Sequence, residues 1–160
     1  MERPDAPLMH FSADAIAKME AVRKAHYLSP DAVRLTRSLG DAAGLKRLGV
    51  HLIEVPPGSR STEFHAHHYE EECIYVLSGR GAATLGTATH RIGPGDFIAC
   101  PTNGVAHEMM NDGAEPLVCL VIGQRLEQDF TDYPRLGKRL YRHSGEWDLV
   151  DVAKLEHPKR

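Results

Sequence analysis

The sequence predicts an all-β domain, an antiparallel sandwich or barrel. Three observations carry that prediction. Between Gly49 and about Gly123 short apolar runs recur: Val50–Ile53, Cys73–Leu77, Gly81–Leu85, Phe97–Cys100, His107–Asn111 and Leu117–Ile122. Turn residues separate them, as at Pro56-Pro57-Gly58, Ser78-Gly79, Gly93-Pro94-Gly95, Thr102-Asn103-Gly104 and Asn111-Asp112-Gly113. No helix of any length fits inside this block. Short strands at even spacing with Gly/Pro punctuation are what antiparallel barrels and sandwiches require.

Composition bounds the rest. At 160 residues the chain reads as one domain, long enough to bury a core without staples. A net charge of -3 with well-mixed signs gives no footing for a nucleic-acid or membrane partner. Cys73, Cys100 and Cys119 are scattered, which argues against a disulfide framework and for a reducing compartment. No apolar run reaches the roughly 18 residues of a membrane span, and no signal-peptide pattern opens the chain. A cytoplasmic location is therefore expected.

In chain order, residues 1–45 read as an N-terminal extension, 46–123 as the barrel core and 124–160 as a C-terminal tail. Met1 to about Ser12 reads as an arm. Ser12 or Asp14 can cap a helix running to about His26, with Ala15, Ile16, Met19 and Val22 at helical spacing. Ser29-Pro30 should end it. Val33 to Leu39 alternates like a strand, Gly40 to Gly44 reads as a loop, and Leu48 to Val55 as a second strand. These strands can lengthen a sheet or pair with another subunit. The tail turns polar and finishes with a strand-like or irregular Leu140 to Val152.

Chemistry concentrates in Glu63-Phe64-His65-Ala66-His67-His68-Tyr69-Glu70-Glu71-Glu72. On a strand, His65 and His67 leave the same face. Paired imidazoles with carboxylates just beyond supply half of a metal ligand set. Downstream, His107 lies on an expected strand and shares its face with Met109 and Asn111.

The run Gly58-x6-His65-x-His67-x4-Glu72-x6-Gly79 resembles the first motif of the cupin superfamily. The run Gly95-x5-Pro101-x2-Gly104-x2-His107-x3-Asn111 resembles the second. Each carries one extra residue in a turn, where insertion is tolerated. The resemblance covers about residues 50 to 123. It implies a jelly-roll barrel (a double-stranded β-helix) and a divalent transition metal, Fe, Mn, Ni or Zn, held by His65, His67, Glu72 and His107. It also implies a small-molecule substrate and a homodimer. Arg80 to Pro94, between the motifs, has room for little beyond a hairpin.

Counted forward from His67, either Glu71 or Glu72 fits; counted back from Gly79, only Glu72 does. Glu70 and Glu71 are then expected as solvated charges at the barrel mouth, and His68 should point the other way. Arg60 and Lys138 are candidates to meet an anionic substrate. Asn111 and Met109 can line the lumen or pack, and Tyr75 is a lumen hydroxyl or a core aromatic. No nucleophile elbow, phosphate loop, Rossmann fingerprint or zinc-finger spacing is present. The expected function is a metal-dependent enzyme on a small polar or anionic molecule, of dioxygenase, isomerase or lyase type. The alternative is a binding or sensor module without turnover.

Overall fold

The computed structural model describes residues 9–159; most of the expected N-terminal arm lies outside the described residues. Helix α1 (Ala13–Lys18) is followed by β1 (Val22–His26), β2 (Ser29–Ser38), the single-turn helix α2 (Leu39–Ala42) and β3 (Leu48–Val55). Next come β4 (Ala66–His67), β5 (Glu72–Ser78), β6 (Gly81–Leu85), β7 (Ala88–Ile92), β8 (Phe97–Cys100) and β9 (His107–Met110). The chain continues through β10 (Leu117–Gln124), β11 (Gln128–Tyr133), β12 (Lys138–His143) and β13 (Glu146–Asp151).

One wall is a six-stranded sheet in the order β1-β2-β3-β10-β5-β8. The facing wall joins β7-β6-β9 to β4-β11-β12-β13, the two groups meeting at a backbone bridge between His65 and His107. The inward residues alternate along each strand, as a pleat with one buried face demands. Ile53 and Val55, Ile74 and Val76, Leu117 and Cys119 come from the first wall; Ala83, Ile92 and Met109 from the second. Burying each larger apolar side chain contributes about 1.5–3 kcal/mol.

Glycine is required at Gly79. Its φ is +80°, and a Cβ there would come within 2.2 Å of the Pro116 carbonyl oxygen. Asn111 acts as a bolt between loops. Its side-chain amide donates to the carbonyls of Val55 (2.7 Å) and Glu115 (2.8 Å) and its Oδ1 accepts from the Gly113 amide (3.0 Å). Its role is packing and hydrogen bonding, not lining the lumen.

The barrel strands and the β6–β7 hairpin lie where the sequence reading put them. The flanks differ in four ways. The expected helix starts at its Ser12 cap, whose Oγ accepts from the Ala15 amide, but it ends at Lys18. This helix buries no side chain, and Val22 to His26 gains more by pairing with β2. Ser29-Pro30 opens that strand instead of ending a helix. The ladder skips from His26↔Ser29 to Ala25↔Val33, so Pro30 sits in the bulge and its missing N–H forfeits no bond. Residues 39–42 form a helical turn in place of a loop. The tail, read as partly irregular, is a regular three-stranded meander that adds β11 alongside β4. Among the described residues no helix is long and apolar enough to cross a membrane.

Candidate metal centre

The bridge between His65, just before β4, and His107 on β9 decides which side chains meet. His65 and His107 exchange backbone hydrogen bonds of 3.2 and 2.8 Å, which brings their rings to a centroid separation of 4.4 Å. Glu72, the first residue of β5, reaches the same point: its Oε1 lies 3.2 Å from His107 Nε2. One ligand atom from each of His65, Glu72 and His107 falls within 4.8 Å of the others. The His67 ring lies 5.0 Å from that of His65, while its Nδ1 side belongs to a second group with Glu70 and Asp129. Three of the four expected residues thus form one tight cluster, with His67 beside it. All four line one cavity of about 470 Å³.

The tautomers follow from the partners. His65 Nδ1 lies 2.8 Å from the Glu63 carbonyl oxygen. A carbonyl only accepts, so Nδ1 carries the proton and Nε2 keeps its lone pair. His67 Nδ1 lies 2.7 Å from Asp129 Oδ2, with the same consequence. A carbonyl or carboxylate holding the far nitrogen is the usual arrangement behind a metal-bound imidazole. His107 Nδ1 is buried and has no hydrogen-bond partner. The donor set therefore fits a divalent transition metal of the nitrogen- and oxygen-loving kind.

The electrostatics favour ligation at His65 and Glu72; at His107 they favour the proton, which a metal would have to displace. Burial, and then the neighbouring His107 and His67, push the His65 imidazole down to about 3, so it stays neutral and able to ligate. Burial works against charge on Glu72, but the hydrogen bond from His107 and the surrounding imidazoles hold its carboxyl well below the usual range. Burial alone would lower His107; Cys100 and the Glu72 carboxylate raise it instead.

The neighbours sort differently from expectation. Glu71 is exposed, as expected for the rim. Glu70 is not a rim charge: it is 5% exposed, bonded to the Arg142 guanidinium, and accepts from the Leu126 amide at 2.7 Å. The tail strands bury it, and nothing in its own segment signals that. His68 turns away and stacks on Phe130 (3.8 Å) with its Nε2 2.8 Å from Asp132. Arg60 is committed to Asp31, Glu63 and Glu108, and Lys138 to Asp151. Tyr75 is 45% exposed, neither lumen nor core.

Sequence reasoning missed the tail's contribution. Asp129, Thr131 and Tyr133 are the buried positions of β11, alternating with exposed or half-buried neighbours. Thr131 and Tyr133 line the cavity, and Asp129 orients His67. The period-two pattern Asp-x-Thr-x-Tyr was the available signal. Tyr133 donates to or accepts from the Tyr27 hydroxyl at 3.0 Å, and burial pushes its own hydroxyl up.

Residues 51–123 match the family model described as a cupin domain. A crystal structure from Acidithiobacillus ferrooxidans, described as a "Putative sugar phosphate isomerase", is 52% identical. The alignment covers 94% of this chain and 97% of that one, with a TM-score of 0.92. A sugar phosphate isomerase from the cupin superfamily of Silicibacter pomeroyi aligns at 24% identity, over 91% of this chain and 94% of its own, with a TM-score of 0.78; it speaks to fold alone. An uncharacterized protein of Methanocaldococcus jannaschii is 39% identical over 66 residues, 41% of this chain and about half (51%) of that protein. Barrel topology, motif spacing and these relatives together make the chain a member of the cupin superfamily.

Proposed function

We propose that the protein is a metal-dependent isomerase acting on a sugar phosphate. The observation that carries this reading is the chamber of about 470 Å³ with the His65, Glu72 and His107 cluster in its lining. The substrate class comes from the relative at 52% identity, whose description names a sugar phosphate isomerase.

In this reading His65, His67, Glu72 and His107 hold a divalent transition metal. Such an ion supplies Lewis acidity, polarising a carbonyl or hydroxyl oxygen of the substrate. The chain's own groups do the rest. The Glu63 carbonyl and the Asp129 carboxylate keep the Nε2 atoms of His65 and His67 unprotonated. Isomerisation of an aldose or ketose moves a proton between adjacent carbons, so a base must face the chamber. Among its carboxylates, Glu70 is held by Arg142 and Glu108 by Arg60 and Arg135. Glu71 and Glu72 carry no arginine within ion-pair distance among the described residues, and Glu71 is the one outside the ligand set.

The test is proton exchange. Metal-loaded protein incubated with aldose and ketose phosphates in deuterated water should interconvert a pair and incorporate deuterium at the transferred position, read by NMR. Full metal occupancy without exchange or turnover across the panel would sink the isomerase reading and leave a binding module. A homodimer joined along the free edge of β1, where Val22 is half exposed, belongs to the same proposal; light scattering reads it directly.

A further inference from the structure

One wall of the cavity is built from the inner face of β1, β2, β3 and β10. Lys24 on β1 stands opposite Arg34 on β2 in the ladder. Arg34 Nη1 donates to the Ser61 carbonyl at 2.9 Å and meets no carboxylate within ion-pair distance among the described residues. Lys24 likewise has no ion-pair partner there. A partly buried guanidinium without an acid beside it carries an unrepaid desolvation cost, which an arriving anion would offset.

Two residues along β2, Thr36 is 2% exposed, lines the same cavity, and its hydroxyl has no hydrogen-bond partner among the described residues. Opposite Ser38, His51 on β3 has its Nδ1 3.2 Å from the Ser38 hydroxyl, so Nε2 is the atom left for the cavity. Gly49 completes the cradle. A Cβ there would lie 3.0 Å from His51 Nε2 and 3.2 Å from Arg125 Nε, so a side chain at this position would press on both nitrogens. Arg125 also pairs with Asp41, and the Glu72 carboxylate acts on Arg34 through space without forming an ion pair with it.

We propose that Lys24, Arg34 and Arg125, with His51 Nε2 and the Thr36 hydroxyl, form the subsite for the phosphate group of a phosphomonoester. A phosphate dianion calls for several charge-assisted donors around it, and this wall supplies them. The remainder of the molecule is then directed along the chamber toward His65, Glu72 and His107. This subsite rests on the sugar-phosphate reading above.

The experiment titrates inorganic phosphate into the full-length, metal-loaded protein by calorimetry, and measures KM for any sugar phosphate it isomerises. Lys24→Met and Arg34→Met should each weaken phosphate binding by roughly tenfold or more, the worth of one charge-assisted contact. Thr36→Val should weaken it severalfold. The exposed Arg91→Met should leave it unchanged, and metal content should be the same in all four. Lys24 is exposed, so its variant keeps the test open if Arg34→Met fails to fold. No phosphate binding by the parent protein overturns the subsite. So does binding that survives Lys24→Met and Arg34→Met but disappears with a chelator, which would put phosphate on the metal. Phosphate binding lost in the variants without any isomerisation keeps the subsite and removes the activity. Isomerisation with KM unchanged in both variants keeps the activity and removes the subsite.

Discussion

Asp129 Oδ2 lies 2.7 Å from His67 Nδ1, a contact between the tail and the first motif across 62 positions. The other oxygen of the same carboxylate accepts the Tyr69 amide at 2.9 Å. One side chain thus orients the imidazole and pins the turn behind it. Asp129→Asn keeps an acceptor for the Tyr69 amide but gives up the anion facing Nδ1. Metal affinity should fall by about 10- to 100-fold, the usual effect of losing such a partner. Competition with a chelator measures it, and an unchanged affinity would remove His67 from the ligand set.

Glu72 and Glu71 separate in the same assay. Glu72→Gln keeps the shape and loses the charge beside His107, and should cost more metal affinity than Asp129→Asn does. Glu71→Gln, at an exposed position, should leave metal stoichiometry at the parent value. If Glu71→Gln strips the metal and Glu72→Gln does not, the ligand assignment is reversed.

Asn111→Ala should destabilise the barrel without touching the cavity. It leaves the Val55 and Glu115 carbonyls and the Gly113 amide without their partner. Each buried group left unpaired costs about 1–3 kcal/mol, so a loss of about 3 kcal/mol or more in denaturant unfolding is expected. A change below about 1 kcal/mol would mean water replaces the amide.

Acid should loosen the tail at Asp132. Burial works against its charge, but Arg139 and His68 hold the carboxyl below its ordinary value. The unfolded chain therefore binds the proton more readily. The stabilisation is fully present above the unfolded value near 3.9 and is lost as pH falls through the lower folded value. Asp132→Asn should flatten that part of the acid-unfolding curve and leave the neutral-pH slope unchanged. An unaltered acid limb would show that the pair carries no linkage.

The sequence made the barrel legible because its strands are short, alternating and punctuated by glycine, and because motif spacing survives without coordinates. The flanks were harder for a specific reason. Ala15, Ile16, Met19 and Val22 fit a helical period, and only the ten-residue partner strand β2 turns the last of them into a strand residue. At the site, the resemblance to the two cupin motifs implied His65, Glu72 and His107, and the structure brings them together. Glu70 was misread because its burial depends on Arg142, 72 positions away. Arg34, Thr36 and His51 each looked ordinary alone. Only the β-ladder puts them on one wall.

The meander of β11, β12 and β13 begins after the stretch that the cupin domain model matches, yet it supplies Thr131, Tyr133, Leu140 and Arg142 to the chamber. The chamber is thus built in two parts: the motif-bearing barrel holds the histidine cluster, and the tail meander closes one side of its lining. Replacing the C-terminal segment on the same barrel should then reshape the chamber and leave the His65, Glu72 and His107 cluster in place. Such a replacement must carry over Asp129, which orients His67, and Arg142, which pairs with the buried Glu70.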